Sequence, residues 1–191
     1  MKKIKLTTKK ELNIFMNPTR QQLLYQLAIT KTPMTPKMLA DKLCISASSV
    51  QYHIKKLISL NLIELDHTEV INGITASFYK PTQVTVQIGL DQADALAPQR
   101  KVLLQNSIAQ VYEGFNQQIK KVARVYGNSN AEHLQKWGDI LTGIVHLSEE
   151  ESNKLLGLIY TFLEQHAKPT ADSNPWSYAI IAYNAAEIDN D

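Results

Sequence analysis

The segment LADKLCISASSVQYHIKKLISLNLIEL, residues 39–65, decides how the N-terminal part of the chain is interpreted. Its apolar residues recur at helical spacing, in two runs separated by a break before Ser46. They are Leu39, Leu43, Ile45, Val50, Ile54 and Leu57. The pattern predicts two helices that pack through these residues and meet at a tight turn. The second helix is expected to run from Ser46 to about Leu60 and to expose its polar side.

Capping signals at residues 8, 18 and 35 predict the starts of three helices, the last of which continues into this segment. Thr8 and Glu11 have capping-box spacing, which predicts a short first helix. Pro18 begins a second helix, which ends before Pro33 because proline lacks a backbone donor. Thr35, followed by a proline, is the expected N-cap of the third helix. Residues 39–65 therefore contribute the third and fourth helices of the domain.

Downstream of Asn61 the apolar period changes from helical to strand-like. Asn72 and Gly73 lie between two such runs, and Asn-Gly is a strong signal for a β-hairpin. A tight helical pair followed by a hairpin is the arrangement of a winged helix-turn-helix. We therefore expect an α+β, mainly helical fold with a winged helix-turn-helix domain in residues 1–82.

The remaining residues, 83–191, are expected to form a second domain for dimerisation. Its longest helical pattern covers residues 92–126, whose apolar stripe requires a partner helix. The β-branched density of residues 139–147 and the aromatic run 176–183 predict two strands. Between them, Ser148 and three glutamates predict a helix to about His166.

The net charge changes sign near the boundary between the two expected domains. Residues 1–80 hold 12 Lys/Arg and 5 Asp/Glu, a net charge of +7, whereas residues 81–191 hold 8 and 13, a net charge of −5. Most of the N-terminal cations lie in residues 1–60, so the positive field belongs to the first helices. This half is the candidate polyanion binder, although a basic face that is only solvated has the same composition.

A helix that enters the DNA major groove needs short polar side chains in its first turns and cations further along. The helix that begins at Ser46 meets both needs, through Ser48, Ser49, Gln51, Tyr52, Lys55 and Lys56, and the Ser46 side chain at its start is also a candidate DNA contact. The hydroxyl and amide groups are expected to reach base edges or phosphates, and the two lysines to contact phosphates.

Several other polar residues allow two interpretations. Arg20 is expected either to contact a phosphate or, as we slightly favour, to pair with an acid such as Asp41. His53 lies near the apolar stripe, which favours a packed histidine over a base reader. The lysines at positions 2, 3 and 5 belong either to an arm that contacts phosphates or to a solvated tail.

Motifs for catalysis and for metal binding are missing from the sequence. There is no Gly-rich phosphate loop, no GxSxG turn and no paired-histidine spacing, so we expect neither an enzyme nor a cofactor. The single cysteine, Cys44, excludes a disulfide framework and is interpreted as a small core residue. Neither a membrane span nor a signal peptide is indicated, which favours a cytoplasmic protein.

The stretches NPTRQQLLYQL and LADKLCISASSVQYHIKKLISLNLI, with a hairpin that ends in FYKP, resemble the ArsR-type winged-helix regulators over residues 10–82. WGDILTGIVHLSEEESNKLLGLIYTFLEQ resembles the second half of larger members. The resemblance implies a homodimer that binds double-stranded DNA at a pseudo-palindromic operator through the helix from Ser46 and a wing with His67, Asn72 and Gly73.

Departures from the family restrict this expectation. Metal-sensing members carry a Cys-x-Cys pair before the recognition helix, and this chain has only Cys44, so metal sensing at that place is not expected. The wing has no Lys or Arg before Lys80, so its binding is expected to be weak or through backbone amides. Two alternatives stay open: a winged-helix protein-interaction module, and a regulator with a small-molecule effector site near Trp137 or Trp176.

Overall fold

The computed structural model describes residues 2–87, 95–126 and 136–186. Within them the chain is α+β and mainly helical, as predicted. The elements in chain order are β1 (Lys2–Lys5), α1 (Lys9–Phe15), α2 (Pro18–Ile29), α3 (Pro36–Leu43), α4 (Ala47–Ile58), β2 (Ile63–Ile71), β3 (Ile74–Pro81), β4 (Val84–Gln87), α5 (Ala97–Tyr126) and α6 (Glu149–Gln165). The chain divides into two compact units, residues 1–103 with 145–175, and residues 104–144 with 176–191.

The helix-turn-helix is formed by α3 and α4, and local capping explains both helices. The Thr35 hydroxyl accepts a hydrogen bond from the Met38 N–H at the start of α3. At its end Cys44 adopts a left-handed backbone conformation with φ 54°, which ends α3 and allows α4 to begin three residues later. The interpretation of Cys44 as a core residue is therefore wrong, because this turn leaves the side chain exposed.

One apolar core holds helices α1 to α4 together. Val50, Ile54 and Leu57 of α4 are almost completely buried and belong to the same cluster as Leu23 and Leu27 of α2. The six apolar residues predicted from residues 39–65 all contribute, with Leu43 and Ile45 partly buried at the turn. Burial of a large aliphatic side chain stabilises a fold by roughly 1.5–3 kcal/mol, so this side of α4 is strongly held.

The wing is an antiparallel hairpin of β2 and β3, as predicted. Asn72 and Gly73 form its turn with φ values of 51° and 79°, which only Gly and a few polar residues adopt at low cost. A third short segment joins the hairpin, since Met34 and Tyr79 exchange two backbone hydrogen bonds of 2.9 Å. These bonds connect the wing to the segment that leads into α3.

The N-terminus of the chain is ordered by pairing rather than left as an arm or a tail. β1 pairs in parallel with β4, with Ile4 opposite Val86, and Leu6 is fully buried in the core. Both interpretations of the N-terminal lysines are therefore wrong for the backbone of residues 2–5. The sequence signal was weak, because each strand has only four residues and no turn motif connects the two.

Outside the helix-turn-helix and the wing, the predicted helices occur and the predicted strands do not. The long helix begins at Ala97 rather than at residue 92, and residues 92–94 lie outside those described. α6 begins with a complete capping box between Ser148 and Glu151. Residues 139–147 and 176–183 form no described strand, so that expectation is wrong. β propensity favours extended backbone, but a strand also needs a hydrogen-bonded neighbour.

The burial of Leu6 leads to a test of the N-terminal strand. Replacing Leu6 with Ala should lower the free energy of unfolding by about 2–5 kcal/mol, because it leaves a cavity in the core. The measurement is urea denaturation followed by circular dichroism. Lys5→Ala is the control and should change stability by less than about 0.5 kcal/mol, since Lys5 is exposed. Equal stability of the two variants would show that the N-terminal segment does not pack on the domain.

Candidate nucleic-acid interface

The polar side of α4 faces away from the core of its unit. Helical residues advance by about 100°, so the side opposite Val50 and Leu57 carries the predicted contact residues. Four of these are exposed and two are half-buried. The exposed ones are Ser48, Gln51, Tyr52 and Lys55, and the half-buried ones are Ser49 and Lys56. The first unit therefore presents a continuous surface of hydroxyl, amide and ammonium groups on one helix.

Ser46 holds the start of this surface. Its hydroxyl accepts a hydrogen bond of 3.2 Å from the Ser49 N–H as the N-cap of α4. The same hydroxyl lies 3.1 Å from the Ser48 hydroxyl. The side chain predicted as a DNA contact is thus already used in capping, which fixes the first turn of α4 and the position of Ser48.

Tyr52 and Lys56 form a pair on the polar side. They are one helical turn apart, and the Lys56 ammonium lies 5.5 Å from the centre of the Tyr52 ring. Tyr52 also contacts the ring of His53 edge-on, with 5.3 Å between centroids. The packed interpretation of His53 agrees with its half-buried ring. Desolvation and the nearby positive charge of Arg20 lower the pKa of His53, which favours its neutral form.

Arg20 is neither exposed for a phosphate nor paired with Asp41. It is 7% exposed, and its Nη1 donates to the carbonyl oxygens of Ile14 at 2.9 Å and Asn13 at 3.3 Å. Asp41 pairs instead with Lys37 at 2.6 Å, one turn away on α3. The favoured Arg20–Asp41 pair is therefore wrong. The guanidinium satisfies carbonyls at the C-terminal end of α1, where a positive charge also complements the helix dipole.

A groove between α1 and α4 is lined by several cations, and two of them, Lys9 and Lys10, were not predicted from the sequence as part of the site. Lys9 and Lys10 of α1 line it together with Lys56, Tyr52 and Arg20. The two α1 lysines follow the capping residue Thr8, so the capping box that starts the helix also places them. The available signal was the run Lys9-Lys10 beside a predicted N-cap, but the sequence alone does not show that α1 lies beside α4.

The wing carries little free positive charge. Lys80 pairs with Asp66 at 2.9 Å and with Glu64 at 3.5 Å, and the Asp66 hydrogen bond and charge raise the pKa of Lys80. His67 lies 2.6 Å from Asp66 and stacks on Phe78. Asn72 and Gly73 are exposed at the tip. The tip of the wing therefore offers backbone groups and the Asn72 amide as polar contacts, and no cation.

The aromatic residues considered for an effector site are neither enclosed nor packed in a core. Trp137, Trp176, Tyr178 and Tyr183 are each between 45% and 81% exposed. Among the described residues, no group of three or more His, Cys, Asp or Glu side chains has an arrangement that fits a metal ion. Within the same residues, no helix has both the length and the apolar character needed to cross a membrane.

One part of the chain matches a known protein family, and the match agrees with the helix-turn-helix seen in the structure. Residues 15–66 match the family model described as a helix-turn-helix domain, which is somewhat more than a quarter of the 191 residues. The match runs from the last residue of α1 through α4 to the start of β2. No curated protein matches the chain. The predicted helix-turn-helix is thus confirmed, and this domain type supports a role in DNA-binding regulation.

The lowered pKa of His53 predicts acid sensitivity of the domain. Because the unfolded chain binds this proton more readily, the contribution of His53 is present above about pH 6.5 and is lost as pH falls below it. In His53→Gln, stability should therefore fall less between pH 7.5 and 5.5 than in the wild type. Urea denaturation at the two pH values measures the difference. Replacement of the exposed His146 with Gln is the control. If the free energy of unfolding of His53→Gln falls between the two pH values by as much as that of the wild type, the account is contradicted.

Proposed function

We propose that the protein is a homodimeric, sequence-specific DNA-binding transcriptional regulator of the ArsR-like winged-helix type. The observation that carries the proposal is the polar side of α4, which is exposed while the apolar side of the same helix is buried. In a helix-turn-helix, the second helix of the pair enters the major groove. α4 is the second helix of the pair, and its exposed groups have the chemistry that this position requires.

The side chains of α4 have two kinds of role in this proposal. Ser48, Ser49, Gln51 and Tyr52 contact base edges, since a hydroxyl or an amide both donates and accepts hydrogen bonds. Lys55 and Lys56 contact phosphates, which supply the salt-dependent part of the affinity. The wing adds backbone contacts through the turn at Asn72 and Gly73, because Lys80 is engaged by Asp66.

Dimerisation belongs to the part of the chain after residue 82, which we propose as a separate functional domain. The 30-residue helix α5 is the proposed dimer seam. Apolar surface that is exposed in the single chain supports dimerisation. α6 has no buried residue, and its side chains Leu158, Tyr160 and Phe162 are each at least 60% exposed. Two copies of α4 related by two-fold symmetry then bind a pseudo-palindromic operator.

A second candidate function has one observation in its favour. Val70, Ile71 and Ile74, at the tip of the wing, are between 45% and 73% exposed, which is unusual beside a highly charged ligand. Such a tip fits a protein-interaction module. Near-absence of salt-sensitive binding to duplex DNA would favour this alternative over the regulator.

Variants of α4 separate the two proposed roles of its side chains. Lys55→Ala should weaken binding to every duplex and reduce the slope of log affinity against log salt by about 0.9, because one phosphate contact is lost. Gln51→Ala should leave the slope unchanged and reduce discrimination at one base pair by about 1–3 kcal/mol. Fluorescence anisotropy gives both values, with salt titrations and with competitor duplexes that differ at single positions.

Lys154→Ala is the matched control for these variants. It removes the same charge from an exposed position of α6, in the same unit of the chain. The control should bind all duplexes like the wild type. If Lys55→Ala and Gln51→Ala also retain wild-type affinity, slope and discrimination, α4 is not the DNA-binding helix.

The proposed dimer is tested by its mass in solution. Sedimentation velocity of the purified protein at micromolar concentration should give a species of about twice the 21.5 kDa chain mass. The apolar side chains of α6 that are exposed in the single chain explain why association is favourable. A single monomeric species over the whole concentration range would contradict the dimer and, with it, the two-fold symmetric operator.

A further inference from the structure

The groove between α1 and α4 combines charges from three helices. Lys9 and Lys10 come from α1, Arg20 from α2, and Tyr52 and Lys56 from α4. Asn13, Ile14 and Asn17 complete its lining, and none of the described residues that line it is acidic. Its volume is about 610 Å³ and it opens to solvent. Four cations, a phenol and two amides around one depression form a surface that attracts an anion.

A buried donor adds independent support for an anion at this place. Arg20 is more than nine-tenths buried, yet among the described residues its Nε has no hydrogen-bond partner. Its Nη1 is held by the carbonyls of Asn13 and Ile14, so the guanidinium cannot turn away from the groove without breaking these bonds. A fixed, incompletely satisfied cation in the wall of a basic groove raises the local positive potential.

From this we infer a binding site for a phosphodiester group of the DNA backbone between α1 and α4, with Lys9, Lys10 and Lys56 as its contacts. The inference rests on the proposed function and extends it to α1. Lys9 and Lys10 are exposed and line the groove from α1, so they approach the phosphate from that helix. Lys56 approaches it from α4, and the packing of its ammonium over the Tyr52 ring limits the freedom of the lysine side chain.

The position of the groove on the domain fits a phosphate rather than a base. Lys56 lies towards one edge of the polar side of α4, whereas Gln51 lies at its opposite edge and Ser48 and Tyr52 lie near its middle. A helix in the major groove has base edges beneath its middle and a phosphate chain along each side. The edge that carries Lys56 therefore meets one of these chains, and α1 is the element beside it.

The test is the salt dependence of binding by the full-length double variant Lys9→Ala/Lys10→Ala. Loss of two phosphate contacts should reduce the slope of log affinity against log salt by about 1.8. Between 50 and 200 mM salt, the affinity of the variant should then fall roughly tenfold less than that of the wild type. The probe is a fluorescein-labelled duplex of random sequence, 20 base pairs long, measured by anisotropy.

Two further variants separate a local site from a general effect of charge. Lys154→Ala/Lys168→Ala removes the same number of exposed lysines from the same unit and should keep the wild-type slope. Lys9→Arg/Lys10→Arg keeps the charge and should also retain that slope. Thermal unfolding checks that each variant folds like the wild type. An equal loss of slope in both alanine variants would mean that only net charge matters, and would overturn the site.

The outcome also separates this inference from the proposed function. If the wild type binds the duplex with a steep salt slope and Lys9→Ala/Lys10→Ala binds it identically, the α1–α4 site is refuted and the regulator stands. If the wild type shows no salt-dependent binding at all, the proposed function itself fails, and the phosphate site fails with it.

Discussion

The burial of one side of α4 is the constraint on which the rest of the account depends. Val50, Ile54 and Leu57 are buried among the residues of α2 and α3, so the rotation of α4 about its own axis is set by the core. Turning the helix by one residue position would expose these aliphatic side chains, at a cost of roughly 1.5–3 kcal/mol each. Apolar packing therefore keeps the polar side chains of α4 exposed. The packing of the core determines which groups of the helix a ligand can contact.

The short helix α1 is connected to this arrangement by polar contacts as well as by packing. Arg20 reaches back from α2 to two carbonyls at the end of α1, and the capping box at Thr8 and Glu11 orders its start. These contacts place Lys9 and Lys10 beside Tyr52 and Lys56. Lys9, Lys10 and Lys56 thus bring part of the positive charge of the first 60 residues to the groove beside the exposed side of α4.

The sequence predicts those features that depend on neighbours along the chain. Caps at Thr8, Thr35, Ser46 and Ser148, and the Asn-Gly turn, involve contacts within a few residues, and the structure has each of them. Features that depend on distant partners were missed or wrong, such as the β1–β4 pair, the role of Arg20 and the two strands expected after residue 138. The left-handed turn at Cys44 was missed because cysteine carries no turn signal.

The central claim is that the exposed side of α4 recognises a DNA sequence, and selection of bound duplexes from a random pool by the purified protein tests it most directly. The account predicts enrichment of a consensus with two-fold symmetry, whose half-sites are separated by about one helical turn, 10–10.5 base pairs, or a multiple of it. A pool that remains random after several rounds, although the protein is folded and retained on its support, would contradict it.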